Sequence, residues 1–233
     1  MARARRNQLL LTCEHAGRRV PPAYASLFRG AGRTLASHRG WDRGALALAR
    51  LLARRLSSPL LAVTWTRLLA DANRSPGNPG IWSSYTRSLP AQERARVLAR
   101  WWWPHRQAVE AAVAAAVCGG RRVVHVAVHS FTPELDGEIR NADVAFLYDS
   151  RRRREAEFCR RWAALLRQHD PRLRVRFNYP YRGSDDGLSR PLRRRYAQSC
   201  YLGVEIEINQ ALVAGRGWRR LQEQIADSLG SAL

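Results

Sequence analysis

The chain has 233 residues, 45% of them hydrophobic, which predicts a single α/β domain over residues 1–233 with a substantial core. No apolar run reaches the roughly 20 residues of a membrane span, and the early run Leu9–Cys13 is shorter than the roughly 7–15 residues of a signal-peptide core, so we expect a cytoplasmic protein. The net charge of +21 comes from 40 arginines without any lysine. Because the arginines are dispersed, we expect small anionic ligands and no specific nucleic-acid or membrane partner.

Short apolar runs separated by helical patterns predict alternating strands and helices along the chain. The predicted elements are, in order, a strand over residues 7–13, a helix over 44–56, a strand over 60–66, an irregular loop over 71–80, a helix over 90–117 with a break at Pro104, strands over 123–129 and 144–149, a helix to about 169, a strand over 175–177, a loop over 178–187, a strand over 201–209 and a helix over 217–230. This alternation predicts a three-layer α/β fold, in which a mostly parallel or mixed central sheet carries helices on both faces.

Side chains that can bind a metal or transfer a proton stand at the ends of three predicted strands. His15 follows the first strand, His129 ends the strand over residues 123–129, and Glu207 lies near the end of the last strand. Ligands of open α/β sheets bind beyond the carboxyl ends of the strands. Each histidine alone is explained equally well as a hydrogen-bonded structural residue. Two histidines with a carboxylate nearby favour a zinc site.

A third metal ligand is needed, because catalytic zinc commonly has three protein ligands and one open position. Asp42 lies in a glycine-containing loop before a predicted helix, and it is the predicted third ligand. The alternative role of Asp42 is to cap that helix. Glu14 is a weaker candidate than Asp42, because adjacent residues of an extended chain point to opposite sides and His15 is its neighbour.

Glu205 and Glu207 alternate with apolar residues, so both are predicted on one face of the last strand. One explanation is an edge strand whose polar face is solvated or paired with arginine. The explanation that we favour makes Glu207, which is nearer the strand end, the general base that activates a metal-bound water.

Asn73 and Arg74 follow the second predicted strand. An amide beside a guanidinium suits a carboxylate ligand, since arginine offers a bidentate fork and asparagine a further donor. The alternative is a loop arginine that pairs with Asp71.

Six blocks in order resemble the N-formylglutamate amidohydrolase family over almost the whole chain. They are Cys13-Glu-His-Ala-Gly17 with Pro21 downstream, Gly40-Trp-Asp-Arg-Gly44, Asp71-Ala-Asn-Arg74, His129-Ser-Phe-Thr-Pro133, Asn178-Tyr-Pro-Tyr-Arg-Gly183 and Glu207-Ile-Asn-Gln210. That family is similar to zinc carboxypeptidases and aspartoacylase-type deacylases. The resemblance therefore implies a zinc-carboxypeptidase-like fold with a zinc site at the strand ends.

The resemblance also implies roles for single residues. His15 and His129 fall on the histidine positions, Asn73 and Arg74 form the carboxylate clamp, and Glu207 is the base. The paired His-x-x-Glu ligand motif of the relatives is missing, because Arg18 stands three residues after His15. Two further residues have weaker matches in the family. Arg182 lies in a loop that resembles a substrate loop. His105 follows an aromatic-proline segment and either supports the site from behind or only packs in the fold.

The predicted activity is metal-dependent hydrolysis of an N-acyl acidic amino acid, with N-formyl-L-glutamate as the default substrate. His15, Asp42 and His129 would hold Zn²⁺ or another divalent metal. Asn73 and Arg74, helped by Arg182 or Arg190, would grip the substrate carboxylates. Two alternatives remain open: a zinc carboxypeptidase or deacylase with a larger acyl or peptide substrate, and a non-catalytic basic protein that binds anions or nucleic acid.

Overall fold

A mixed six-stranded sheet forms the centre of the computed structural model, which describes residues 6–233. The strands are β1 (Asn7–Cys13), β2 (Leu60–Ala62), β3 (Arg122–Phe131), β6 (Val144–Leu147), β7 (Val175–Phe177) and β8 (Tyr201–Asn209), with a separate hairpin of β4 (Glu134–Leu135) and β5 (Glu138–Ile139). Their order across the sheet is β2-β1-β3-β8-β6-β7, and only the β6–β8 pair is antiparallel.

Helices cover both faces of this sheet, which confirms the predicted α/β fold. They are α1 (Gly32–Ala36), α2 (Ala45–Arg55), α3 (Ala91–Val97), α4 (Trp103–Cys118), α5 (Arg153–His169), α6 (Ser189–Arg195), α7 (Gln210–Val213) and α8 (Trp218–Ala232). Helices α2, α5 and α8 enclose the larger apolar core on one face, and α4 and α6 pack on the other. Within residues 6–233, no helix combines the length and the apolar character that crossing a bilayer would require.

The alternation of side chains along β8 separates the core from the polar layer. Val204, Ile206 and Ile208 pack in the larger core, so Glu205 and Glu207 face the opposite layer. Strand β8 lies between β3 and β6 and is not an edge strand. The solvated-edge explanation of the two glutamates is therefore wrong, and their burial needs another reason.

Near the site, the secondary structure differs from the prediction in two places. The strand predicted over residues 60–66 ends at Ala62, because Val63 and Thr64 leave the sheet and accept backbone hydrogen bonds from Ala16 and Arg19. Helix α6 was not predicted, although its proline lies in the first turn, where proline is tolerated. The break expected at Pro104 is present: a π-helical turn over Leu98–Trp102 separates α3 from α4.

Candidate active site

A cleft of about 690 Å³ lies where β1, β3 and β8 reach their carboxyl ends. That volume falls within the usual range of small-molecule sites. Most of the predicted site residues line this cleft, namely His15, Asp42, Asn73, Arg74, His129, Arg182 and Glu207. A cleft at this end is where open α/β sheets generally bind their ligands.

The structure brings together the three residues predicted to bind the metal. The Oδ2 atom of Asp42 lies 2.9 Å from Nδ1 of His129 and 3.3 Å from Nδ1 of His15. One ligand atom from each residue falls within 4.8 Å of the others, and all three residues are buried. Two imidazole nitrogens and a carboxylate oxygen are a donor set that suits zinc.

Backbone contacts place Asp42 beside His15. The amide of Asp42 donates a hydrogen bond of 3.0 Å to the carbonyl of His15. The loop after β1 can approach residue 64 closely because position 17 is glycine: a Cβ there would lie 2.4 Å from the Thr64 carbonyl oxygen. Helix α2 receives no side-chain cap, so the Asp42 carboxylate is directed at the histidines and does not cap that helix.

Asp42 is held as a carboxylate. Burial raises the pKa of Asp42, but the nearby rings of His15 and His129 outweigh this effect and hold the pKa below its ordinary value. An ionised oxygen between two imidazoles is ready to bind a cation.

Each of the two histidines contacts a second carboxylate through its other nitrogen. Nε2 of His15 lies 2.7 Å from Oδ1 of Asp71, and Nε2 of His129 lies 3.0 Å from Oε2 of Glu14. Asp71 also accepts hydrogen bonds from the Arg67 guanidinium and from the amide of Asn73. In both rings, therefore, Nδ1 faces Asp42 and Nε2 faces a second carboxylate, which belongs to Asp71 for His15 and to Glu14 for His129.

Two of these residues were not recognised from the sequence. Asp71 was considered only as a partner of Arg74, but it contacts His15 and pairs with Arg67. Its position two residues before Asn73 was a weak signal. Arg67 is one of 40 arginines and stands in no motif, so nothing in the sequence distinguishes it.

Glu207 lies beside His129, its register partner across the parallel β3–β8 pair. Its side chain lines the cleft, and Oε2 has no hydrogen-bond partner within residues 6–233. Burial raises the pKa of Glu207 to about 8, the Asp42 and Glu205 carboxylates add to this, and His129 opposes it. A carboxyl group with a pKa near neutrality can both accept and release a proton.

Glu205 lies on a different side of His129. Its Oε2 atom is 4.0 Å from Nε2 of His129, the nitrogen that faces Glu14 and not Asp42. Burial raises the pKa of Glu205 as well. The geometry thus favours Glu207 over Glu205 as the group beside the candidate metal cluster.

Asn73 and Arg74 lie at the cleft, and the loop before α6 holds them there. The Oδ1 atom of Asn73 accepts a hydrogen bond from the Leu188 amide, and NH1 of Arg74 donates to the Asp186 carbonyl at 2.7 Å. Arg74 makes no ion pair with Asp71 in the described part of the chain; Arg67 takes that place.

The structure does not bring Arg190 to this cleft. Arg190 lies on α6 and lines a second, smaller cleft of about 320 Å³ together with Asp149, Arg151, Arg152, Ser184, Arg193 and Arg194. The expectation that Arg190 helps to bind substrate grouped it with Arg182 and the loop over residues 178–183, although Arg190 comes later in the chain. Helix α6 carries the side chain elsewhere, while Arg182 stays at the main cleft.

The fold and the side-chain cluster define an α/β protein with a candidate metal site at the carboxyl ends of its strands. The chain belongs to the N-formylglutamate amidohydrolase family, whose model matches residues 7–214. Membership in this family of amidohydrolases confirms the resemblance found in the sequence motifs.

Two crystal structures are similar to this chain over nearly its full length. One is of a gene product from Agrobacterium tumefaciens, with 31% sequence identity and a TM-score of 0.79 over 98% of this chain and 92% of that one. The other is of N-formylglutamate amidohydrolase from Ralstonia eutropha, with 20% identity and a TM-score of 0.69 over 98% and 93%. Among curated proteins, none matches the sequence.

Proposed function

We propose that this chain is a metal-dependent amidohydrolase that removes the N-acyl group, by default a formyl group, from an acidic amino acid such as N-formyl-L-glutamate. One observation carries the proposal: the buried His15–Asp42–His129 cluster lies in the same cleft as Glu207, whose Oε2 atom has no hydrogen-bond partner among the described residues. Family membership supports amide hydrolysis as the reaction class.

The donor set fits Zn²⁺, which His15, Asp42 and His129 would hold. When bound, the metal would supply Lewis acidity toward the acyl carbonyl and toward water. The three ligands come from the loop after β1, the loop before α2 and the end of β3. Backbone hydrogen bonds, such as that from the Asp42 amide to the His15 carbonyl, hold these segments together.

Glu207 would act as the general base. It takes a proton from the attacking water and delivers it to the nitrogen of the leaving amino acid. The raised pKa of Glu207, about 8, arises largely from burial and from the Asp42 carboxylate, and it makes both transfers feasible near neutral pH. A bound cation would lower that pKa and favour the base form at the start of the reaction.

The substrate carboxylates would bind at the opposite wall of the cleft. Arg74 has one nitrogen on the Asp186 carbonyl, which fixes its guanidinium and leaves the other nitrogens for a ligand. The Nδ2 group of Asn73 has no partner among residues 6–233, while its Oδ1 is used by Leu188. Arg182 lies at the exposed rim of the same cleft, where it suits a second carboxylate.

We expect Arg74→Ala to raise KM for dicarboxylate substrates about 10- to 100-fold with a smaller change in kcat. The reason is the loss of a hydrogen-bonded charge pair, worth about 1.5–3 kcal/mol. Steady-state kinetics with N-formyl-L-glutamate measures this. Arg190→Ala is the matched control, because this arginine lines the second cleft and should leave KM unchanged. An unchanged KM in Arg74→Ala would remove Arg74 from the clamp.

A hydrolysis screen of N-formyl, N-acetyl and N-succinyl amino acids tests the proposed substrate class. We expect the highest kcat/KM for N-formyl-L-glutamate and little turnover of neutral amino acid derivatives. A higher kcat/KM for a larger acyl group or for peptides would contradict formyl specificity and would indicate a deacylase or carboxypeptidase instead. Failure to cleave any of them, with metal bound, would contradict the amidohydrolase proposal.

A further inference from the structure

Glu14 is a fully buried carboxylate that the proposed reaction does not use. It follows β1 directly, its side chain is 0% exposed, and it lies between two histidines from different elements. Oε2 is 3.0 Å from Nε2 of His129, and Oε1 is 3.5 Å from Nε2 of His105 on α4. These histidines are its only ion-pair partners among residues 6–233, and neither contact has the geometry of a hydrogen bond.

Burial of such a group requires compensation. A carboxylate away from water is costly unless a positive or strongly polarised donor lies beside it. No arginine forms an ion pair with Glu14 in the described chain, in contrast to Asp71, which Arg67 neutralises. The compensation must therefore come through the two imidazoles.

The His129 ring can supply this compensation when its opposite nitrogen binds a cation. Nδ1 of His129 points to Asp42 within the candidate metal cluster, which leaves Nε2 for Glu14. A neutral imidazole carries its proton on only one nitrogen, so a cation on Nδ1 requires the proton on Nε2. Cation binding also polarises that N–H group, and a carboxylate acceptor in turn fixes the ring and raises its basicity.

His15 repeats the same arrangement with different residues. Its Nδ1 atom faces Asp42 and its Nε2 atom faces Asp71. Each ring therefore lies between Asp42 and a second carboxylate, and these second carboxylates come from separate segments. The two ring centroids are 5.1 Å apart. This repetition supports the same role for Glu14 and Asp71, namely to orient a histidine of the cluster.

We propose that Glu14 is a positioning residue, which holds His129 with Nδ1 directed at the metal and Nε2 protonated, and which His105 steadies from the other side. The inference rests on the proposed metal site and adds a residue to it. Glu14 touches neither substrate nor metal in this arrangement. It acts on metal affinity through the orientation and basicity of His129.

Metal affinity of the Glu14→Gln variant tests the proposal. Competition against a chromogenic chelator, with Zn²⁺ as the probe, should show about 10- to 100-fold weaker binding than the unmodified chain. Glu110→Gln is the control, since this half-buried glutamate lies on the same helix as His105, α4, but is not part of the cluster. Equal affinity of Glu14→Gln and the unmodified chain would overturn the proposal.

The melting temperature of the metal-free proteins separates positioning from general stability. A merely structural role would lower this temperature in Glu14→Gln and leave the zinc dissociation constant unchanged, which would also overturn the proposal. If the unmodified chain itself binds no zinc, the proposed function fails, and that outcome is distinct from a loss limited to the variant.

Histidine NMR keeps the proposal testable if Glu14→Gln does not fold. Long-range ¹H–¹⁵N spectra of the zinc-loaded, unmodified protein should assign His129 to the tautomer with the proton on Nε2, a state that His15 should share. Assignment of the His129 proton to Nδ1 would contradict the inference. His105→Gln should broaden or shift the His129 signals but leave those of His15 in place.

Discussion

Glu207→Gln is expected to lower kcat about 10²- to 10⁴-fold, the usual contribution of a general base, while metal binding stays intact. Glutamine keeps the size of the side chain but cannot take a proton from water. Glu207 is not one of the three clustered ligands, so the metal content should not change. Paired measurements of kcat and of bound metal on the same sample test both parts.

Glu205→Gln is the matched control for this experiment. The two glutamates lie on the same face of β8, but Glu205 faces the Nε2 side of His129, away from Asp42. We expect its replacement to reduce kcat far less than Glu207→Gln does. If Glu207→Gln kept its activity and Glu205→Gln lost it, the general base would be Glu205.

Asp42→Asn is expected to have the second large effect, namely the loss of both bound metal and activity. The Asp42 carboxylate is the only acidic group of the candidate His15–Asp42–His129 cluster and contacts both histidines through Oδ2. An amide of the same size keeps the packing but removes the charge that attracts a cation. Elemental analysis should fall from about one metal per chain to a small fraction of that.

The control for Asp42→Asn is Asp143→Asn. Asp143 is also buried, but it stands directly before β6, pairs with Arg174 and does not line the cleft. Its replacement should leave the metal content and kcat unchanged. Full metal occupancy in Asp42→Asn would show that the third ligand is a different residue.

Much of the sheet could be predicted from the sequence because its strands are local patterns. Period-two alternation located Glu205 and Glu207 on one face of β8, and the apolar run of β3 located His129 at its end. Since carboxyl ends of neighbouring parallel strands meet, these residues were expected to lie together, and the structure brings them into one cleft.

The contacts that the sequence could not predict depend on the path of the loops. Asp71 reaches His15, and Arg67 reaches Asp71, because residues 63–66 leave the sheet and run along the loop after β1. Burial of Glu14 likewise depends on where α4 packs and brings His105. Such relations follow from tertiary packing, which no local pattern records.

Arg190 shows how a missed helix changes the predicted site. No helix was predicted between residues 187 and 201, a segment that contains Pro191 and several arginines. Proline is tolerated in the first helical turn, and the helix turns Arg190 toward the second cleft. The proposed carboxylate clamp therefore consists of Asn73, Arg74 and Arg182.

The most direct test of the metalloenzyme proposal is a metal titration of the stripped protein. After chelation and dialysis, hydrolysis of N-formyl-L-glutamate should be absent and should return with added Zn²⁺, reaching its maximum at about one equivalent per chain. Asp42→Asn treated in the same way should recover no activity at that stoichiometry. Full activity of the stripped, metal-free protein would contradict the proposed role of His15, Asp42 and His129.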